Sequence, residues 1–334
     1  MATIGAAITA VGGWVPPYRL TNQELEKLVD TNDEWIRTRT GIRERRILKG
    51  EGQGTSVMAT KAVEELCQKR NLDPAEIDAV ICATISPDML FPCTANLVCE
   101  AVGAKNALSF DMLAACSGFI YALETGANYI RSGLYKKVVV IGADKMSATI
   151  NYQDRETCVI FGDGAGAVLL EPNDEGLGVI DAILRTDASG KDLIFLRGGG
   201  SAHPMTEESV RRGDQYFKQD GRAVFKHAVT RMADAAEQMM VRHGLSSDDV
   251  AYLVPHQANQ RIIKATAERM GVDMSKVLVN IDRYGNTTGG TIPLCLWDWE
   301  TTFKKGDNLI LAAFGGGFTW GSIYLKWAYD ARQN

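Results

Sequence analysis

Three polar side chains with catalytic potential occur far apart in the chain, each among small residues. Cys116 stands in Ala-Ala-Cys-Ser-Gly, His256 in Val-Pro-His-Gln-Ala-Asn, and Asn286 in Gly-Asn-Thr-Thr-Gly-Gly. A cysteine sulfur can carry an acyl group as a thioester, while an imidazole and a carboxamide can hold negative charge on a neighbouring carbonyl oxygen. We predict that the three form one site for carbon–carbon bond formation between thioesters.

Each of these residues also has a purely structural interpretation. Cys116 begins a predicted helix, whose N-terminal amides would lower the pKa of its thiol, but most cysteines are inert core residues. The alternative for His256 is a hydrogen-bonded core imidazole, and the alternative for Asn286 is a left-handed turn residue. The small residues around Cys116 favour catalysis, because they fill a core poorly but leave space for a substrate.

The three consecutive glycines 315–317 follow an apolar strand pattern. One interpretation is a backbone amide directed at a developing oxyanion, with no Cβ to obstruct the substrate. The alternative is close packing of the chain or simple turn geometry. A dinucleotide-binding loop is excluded, because no Gly-x-Gly-x-x-Gly leads into a strand–helix–strand unit with an acidic residue about 20 residues later.

Alternating strand and helix patterns predict an α/β fold, and three of the patterns occur twice in the same order. In the first pair, helix 58–70 and strand 79–84 match helix 223–243 and strand 250–254. In the second, helix 117–131 and strand 137–142 match helix 291–303 and strand 308–312. The third pair consists of the glycine-containing segments 160–170 and 314–325. We therefore predict two similar halves, 1–174 with Cys116 and 175–334 with His256, Asn286 and the glycine-rich loop. Because ligands of α/β sheets gather at the carboxyl ends of strands, the three residues can converge where the halves meet.

Bulk composition excludes several other classes of protein. The 334 residues are 46% hydrophobic and 23% charged, which is ordinary globular composition, and the net charge of −5 argues against general binding to nucleic acid or a membrane surface. Seven cysteines without a Cys-x-x-Cys pair predict free thiols. The N-terminus has no secretory pattern, and no apolar run approaches the roughly 20 residues that span a bilayer. We expect a soluble cytoplasmic protein.

Six ordered motifs resemble the thiolase superfamily, and specifically the ketoacyl-acyl carrier protein synthase III family. They are residues 33–46, the Cys116 motif, 161–166, 255–259, 285–287 and 314–321. The resemblance implies a five-layered αβαβα thiolase-like fold of two pseudo-symmetric halves and a homodimer. It also implies condensation of a short acyl-CoA, with acetyl-CoA the expected primer, and malonyl-acyl carrier protein, which starts a fatty acid. The coenzyme A thioester is then a substrate, and no cofactor or metal is expected.

The resemblance also implies roles for individual residues. Cys116 would take the acyl group, and His256 and Asn286 would hydrogen-bond the malonyl thioester carbonyl during decarboxylation. The amides of Cys116 and Gly316 would form the oxyanion hole. Phe91 would reach across the dimer to cap the acyl pocket.

Substrate-binding positions follow in the same way. Trp35 and Arg155 would sandwich the adenine of coenzyme A. The residues expected to line the pantetheine tunnel are Arg39, Gly221, Phe225, Ala258, Asn259 and Phe314. Carrier proteins are acidic, so Lys226, Arg261 and Lys264 are candidates for their docking. The chain has Glu268-Arg269 where relatives often carry two basic residues, which weakens that expectation.

Two other functions compete with this one. A ketosynthase or acyltransferase of secondary metabolism would use the same three residues on another acceptor. An inactive paralogue serving as a binding or scaffold subunit would have lost one of the three residues or the glycines, and neither loss is seen. The glycine-rich segment 196–201 is expected to be a mobile lid or surface loop without a chemical role.

Overall fold

The structure, a computed structural model, describes residues 4–330. Residues 1–3 and 331–334 lie outside the described part. Residues 1–3 belong to the N-terminal stretch in which no secretory pattern was found. The strands are β1 (Gly5–Trp14), β2 (Arg19–Thr21), β3 (Glu44–Arg46), β4 (Ala79–Ala83), β5 (Leu108–Met112), β6 (Val138–Lys145), β7 (Asp163–Asn173), β8 (Gly178–Thr186), β9 (Ile194–Phe195), β10 (Lys218–Gln219), β11 (Tyr252–Pro255), β12 (Asn308–Gly315) and β13 (Thr319–Lys326).

Ten α-helices are found between residues 4 and 330. They are α1 (Asn22–Leu25), α2 (Asp33–Thr40), α3 (Thr55–Arg70), α4 (Thr94–Val102), α5 (Gly118–Arg131), α6 (Glu207–Arg212), α7 (Gly221–Arg242), α8 (Gln260–Met270), α9 (Ile281–Tyr284) and α10 (Thr291–Trp299). None of these helices is both long enough and apolar enough to cross a bilayer.

Two sheets with the same strand arrangement form the framework. The first has the order β1-β7-β6-β4-β5, and the second has the order β8-β13-β12-β11. In both sheets the second strand is antiparallel to the first and to the third, and the fourth lies parallel to the third. Where the first sheet adds β5 parallel to β4, the second has a single parallel bridge between Leu253 and Val277. The predicted duplication is therefore visible in strand order and direction.

Helices cover both faces of each sheet, which gives five layers. The apolar faces of α3 and α4 pack on the outer face of the first sheet, and those of α7 and α8 pack on the outer face of the second. Helices α5 and α10 lie between the sheets, where buried side chains such as Phe119 and Leu296 form a shared core. The predicted five-layered α/β class is confirmed, whereas the division at residue 174, between β7 and β8, stays a prediction.

Close approach between the two halves depends on a glycine in β6. A Cβ added to Gly142 would lie 2.1 Å from the carbonyl oxygen of Gly289. Any other residue would push away the short 3₁₀ turn Thr288–Gly290, which follows Asn286. A glycine in a central strand loses side-chain packing, so its presence here is explained by this close backbone contact.

Candidate active site

Cys116 lies on a turn between β5 and α5. Residues Ala115–Ser117 form a 3₁₀ turn, and α5 begins directly afterwards at Gly118. Ala115 has a φ of 48°, a left-handed conformation that costs a non-glycine residue of order 1 kcal/mol or more. The Ser117 hydroxyl donates to Thr319 Oγ1 at 2.6 Å, so the turn is tied to β13 of the second half. The nucleophile candidate is thus held rigidly by both halves.

The resting thiol of Cys116 is protonated, contrary to the expected helix effect. Burial raises its pKa to about 12, and the negative charge of Asp144 adds to that rise. Sequence reasoning predicted a lowered pKa because the residue precedes a helix. That prediction was wrong because the sulfur is buried, and loss of hydration disfavours a thiolate more than the nearby amides favour it.

The glycine-rich loop at the end of β12 packs directly against this turn. A Cβ on Gly315 would lie 2.6 Å from the amide nitrogen of Cys116, so no side chain can be accommodated there. Gly315 lines the cavity described below. Gly316, the predicted oxyanion donor, is not among the lining residues, although its amide belongs to the peptide that begins at Gly315.

His256 directly follows β11, and its main-chain amide donates to Ala312 of β12 at 2.8 Å. Its ring is 2% exposed, and burial lowers its pKa to about 3, so the imidazole is neutral at physiological pH. Nδ1 lies 2.8 Å from the Thr291 hydroxyl, which leaves Nε2 as the nitrogen that can serve a substrate. The buried side-chain amide of Gln257 donates to the main-chain carbonyl of Leu278 at 3.0 Å and stabilises the turn that carries His256. Sequence reasoning missed this role.

Asn286 is positioned by the first half of the chain. Its amide donates to the carbonyl of Ile160 at 2.9 Å, and its carbonyl accepts from the amide of Gly162 at 3.0 Å. The side-chain Oδ1 accepts from the Thr288 amide at 2.8 Å. Because Oδ1 is engaged, Nδ2 is the part of the carboxamide that can donate into the cavity.

Cys116, His256 and Asn286 all line one cavity of about 770 Å³. Every residue predicted to bind coenzyme A also lines it, together with the docking candidate Arg261. These residues are Trp35, Arg39, Arg155, Gly221, Phe225, Ala258, Asn259 and Phe314. The cavity thus runs from an arginine-rich mouth to the buried thiol. Phe91, Lys226 and Lys264 are not among its lining residues.

The predicted adenine sandwich is closed in this structure. The guanidinium of Arg155 lies 5.0 Å from the centre of the Trp35 ring, and that of Arg39 lies 4.8 Å from it. A base held between Trp35 and Arg155 needs about 7 Å, because each stacked contact takes about 3.5 Å. Arg155 also donates to the carbonyl of Asp30 at 2.9 Å. The predicted sandwich therefore requires this arginine to move.

Several cavity residues were not anticipated from the sequence. Arg222 lies at the mouth, one helical turn before Lys226 on α7. Because residues four apart lie on the same face of a helix, the predicted position of Lys226 could have indicated that Arg222 faces the mouth. Ile194 also lines the cavity and belongs to β9, which pairs with β10. The segment leading to the glycine-rich loop 196–201 therefore forms part of the wall. That the loop acts as a lid stays a prediction.

Among residues 4–330, no group of three or more His, Cys, Asp or Glu side chains is arranged to hold a metal ion.

Comparisons with known proteins identify the relatives of this chain. The family model described as 3-oxoacyl-[acyl-carrier-protein] synthase III matches residues 110–188, and its C-terminal companion matches residues 240–327. A Bacteroides thetaiotaomicron protein named beta-ketoacyl-[acyl-carrier-protein] synthase III 1 is 54% identical over 334 residues, which is 100% of both chains.

Two crystal structures illustrate the range of related proteins. A 3-oxoacyl-[acyl-carrier-protein] synthase III from Aquifex aeolicus superimposes with a TM-score of 0.89 at 41% identity, covering 97% of this chain and 100% of the other. The priming β-ketosynthase of the R1128 polyketide pathway gives a TM-score of 0.88 at 30% identity and covers 98% of this chain and 97% of its own.

Proposed function

The chain belongs to the 3-oxoacyl-[acyl-carrier-protein] synthase III family, and on that premise we propose how its own residues perform the reaction. The protein is an acyltransferase that condenses an acyl-CoA with malonyl-acyl carrier protein and so initiates fatty acid synthesis. The observation that carries the residue assignment is the convergence of Cys116, His256 and Asn286 on one cavity. Acetyl-CoA is the proposed primer, and its coenzyme A is a substrate rather than a resident cofactor.

The first step we propose is acyl transfer to Cys116. The sulfur forms a bond with the thioester carbonyl carbon, the bond to the sulfur of coenzyme A breaks, and the thiol proton leaves with free coenzyme A. The amides of Cys116 and Gly316 stabilise the oxyanion, and one such donor typically contributes about 3 kcal/mol to lowering the barrier. Because the pKa of the resting thiol is high, the thiol loses its proton as the bond to the carbonyl carbon forms.

The second step is decarboxylation of the malonyl group. His256 Nε2 and Asn286 Nδ2 donate hydrogen bonds to its thioester carbonyl while the bond to the carboxylate carbon breaks and carbon dioxide leaves. The resulting enolate carbon bonds to the acyl carbon, the acyl–sulfur bond breaks, and the released thiolate takes a proton from solvent to regenerate the thiol of Cys116. Both side chains are buried, at 2% and 5% exposure, so the developing charge meets fixed donors rather than mobile water.

The mouth of the cavity suits a phosphorylated nucleotide tail. Arg39, Arg155 and Arg222 bring positive charge to it, and Trp35 offers a stacking surface. We assign coenzyme A binding to this region, with Phe225 and Phe314 along the tunnel to the thiol. When adenine binds, Arg155 moves back from the Trp35 ring, so that the base lies between the two side chains.

Carrier-protein docking is assigned to the basic side chains nearest the mouth. Arg261 lines the cavity, and Lys226 is exposed on α7. Lys264 lies 3.8 Å from Glu268, and Arg269 pairs with Asp234 and Glu237, so local acidic partners offset both charges. Docking therefore depends on Lys226 and Arg261, aided by Arg222.

A homodimer is supported by an apolar surface beside β5. Leu90, Phe91 and Leu113 are 78%, 84% and 80% exposed, and β5 is an edge strand. Exposed apolar groups beside an unpaired strand edge favour association with another chain. In the proposed dimer, Phe91 caps the acyl pocket of the partner and limits primer length.

Intact-protein mass spectrometry tests the central assignment. Incubation with acetyl-CoA alone should add one acetyl group, located on Cys116 by peptide mapping, and malonyl-acyl carrier protein should then release an acetoacetyl product. Cys116→Ala should do neither, while Cys67→Ala, a change at a buried cysteine of α3 outside the cavity, should retain both. Acylation of the Cys116→Ala protein at the parent rate would refute the assignment.

A further inference from the structure

The neutral ring of His256 has one N–H proton, and the proposed reaction needs it on Nε2. A hydrogen bond to the developing enolate oxygen requires a donor that faces the cavity. Nδ1 must then be an acceptor, because a neutral imidazole has one donor and one acceptor nitrogen. The group next to Nδ1 therefore decides whether His256 is ready for catalysis.

That group is the hydroxyl of Thr291, 2.8 Å away. The same oxygen also lies 3.0 Å from the carbonyl of Thr288, so its single proton has two possible acceptors. The Thr288 carbonyl already accepts the main-chain N–H of Thr291, whereas no other partner of Nδ1 is found among residues 4–330. Two arrangements satisfy these atoms: Nδ1–H donates to Oγ1 while Oγ1–H donates to Thr288, or Oγ1–H donates to Nδ1. Only the second leaves the proton on Nε2, where the proposed reaction needs it.

We propose that Thr291 is a positioning residue that donates its hydroxyl proton to Nδ1 and thereby keeps the proton of His256 on Nε2. The inference rests on the proposed function. Thr291 is the first residue of α10, is 2% exposed, and has a β-branched side chain with few rotamers. These features fix the direction of the hydroxyl without any contact between Thr291 and the substrate.

The substitution Thr291→Val keeps the shape of the side chain and removes its proton donor. Nδ1 then has no donor, and the ring loses its preference for the Nε2–H form. We expect malonyl decarboxylation and condensation to fall about 100-fold, the usual loss for one oxyanion donor. Acylation of Cys116 and the KM for acetyl-CoA should change less than about threefold, and Thr291→Ser should restore decarboxylation.

Nitrogen-15 NMR of histidine-labelled protein reads the tautomer directly. The chain has four histidines, so the signal of His256 can be assigned by its loss in His256→Gln. The parent and Thr291→Ser should show Nε2–H at neutral pH, and Thr291→Val should show a larger share of Nδ1–H. Thr266→Val, a change at a fully buried helix threonine outside the cavity, is the matched control and should resemble the parent.

The outcomes separate this inference from the proposed function. Nδ1–H in the resting parent protein, or an unchanged tautomer in Thr291→Val, would overturn the role of Thr291 whatever the activity. Failure of the parent protein to acylate Cys116 or to decarboxylate malonyl-acyl carrier protein would instead overturn the proposed function. The tautomer is measured without substrate, so it is informative in both cases.

Discussion

Asp144, on β6 of the first half, accepts a hydrogen bond from Thr288, in the loop that carries Asn286 in the second half. The same carboxylate accepts from the amide of Gly289 at 3.0 Å and from the amide of Ile85 at 2.8 Å. Thr288 has a left-handed φ of 48°, a strained conformation that this buried hydrogen bond helps to maintain. Because the Thr288 amide in turn donates to Asn286 Oδ1, a carboxylate of one half helps to orient the carboxamide of Asn286 in the other.

Thr288→Val should impair decarboxylation more than acylation. The change removes one donor from the buried Asp144 carboxylate, which typically costs about 1–3 kcal/mol, and it loosens the loop that holds Asn286. Denaturant unfolding should give the stability loss, and separate assays of the two half-reactions should show the unequal effect. Thr94→Val is the matched control, since the buried Thr94 hydroxyl has no partner among the described residues and its loss should be neutral or stabilising.

The reactivity of Cys116 should rise steadily with pH. Burial and Asp144 raise the pKa of the thiol to about 12, so the thiolate fraction increases about tenfold for each pH unit between 7 and 10. Alkylation by iodoacetamide, followed at this residue by peptide mass spectrometry, should show that slope without a plateau. A plateau near pH 7 would mean that the main-chain amides at the start of α5 lower the pKa of the Cys116 thiol more than burial raises it.

Acid should destabilise the protein partly through His256. Its pKa is about 3 when folded and about 6.5 when unfolded, so below pH 6.5 the unfolded chain binds a proton that the native state excludes. The contribution of His256 to the free energy of unfolding is therefore fully present above pH 6.5. It falls by up to about 5 kcal/mol as the pH drops towards 3.

The effect is measured as the difference between the parent and His256→Gln in unfolding free energy against pH. Burial raises the pKa of Asp163 to about 6, which has the opposite sign but is common to both proteins and cancels in that difference. His203→Gln, at an exposed position, should follow the parent curve. Identical acid sensitivity of the parent and His256→Gln would contradict the burial argument.

Leu113→Asp should dissociate the proposed dimer. A charge at Leu113, which directly follows β5, would have to be buried without a partner on association. Size-exclusion chromatography with light scattering should report a monomer for this variant and a dimer for the parent. Leu134→Asp introduces the same charge at another leucine that is 81% exposed, in the connection between α5 and β6, and should remain dimeric.

Sequence patterns were sufficient for features that arise from short stretches of chain. The helix at Ala223–His243 was predicted within two residues of its observed bounds, because its apolar spacing reports the face that must be buried. The glycines and small residues beside Cys116, His256 and Asn286 marked three turns, of which those of Cys116 and His256 follow β5 and β11, whereas that of Asn286 follows the short helix α9 rather than a strand. Repetition of the same helix and strand patterns indicated two similar halves, and the tendency of ligands to gather at the carboxyl ends of strands implied that the three residues could meet.

Packing between distant segments decided the rest. The pKa of Cys116, the pairing of Asp144 with Thr288, and the stacking of Arg155 on Trp35 each depend on residues more than 25 positions apart. Hydration is lost only when the whole fold closes around a group, and a hydrogen bond depends on distance and angle rather than on residue type. The chain sequence therefore determined which residues are available for chemistry, while the tertiary structure alone decided their protonation and their partners.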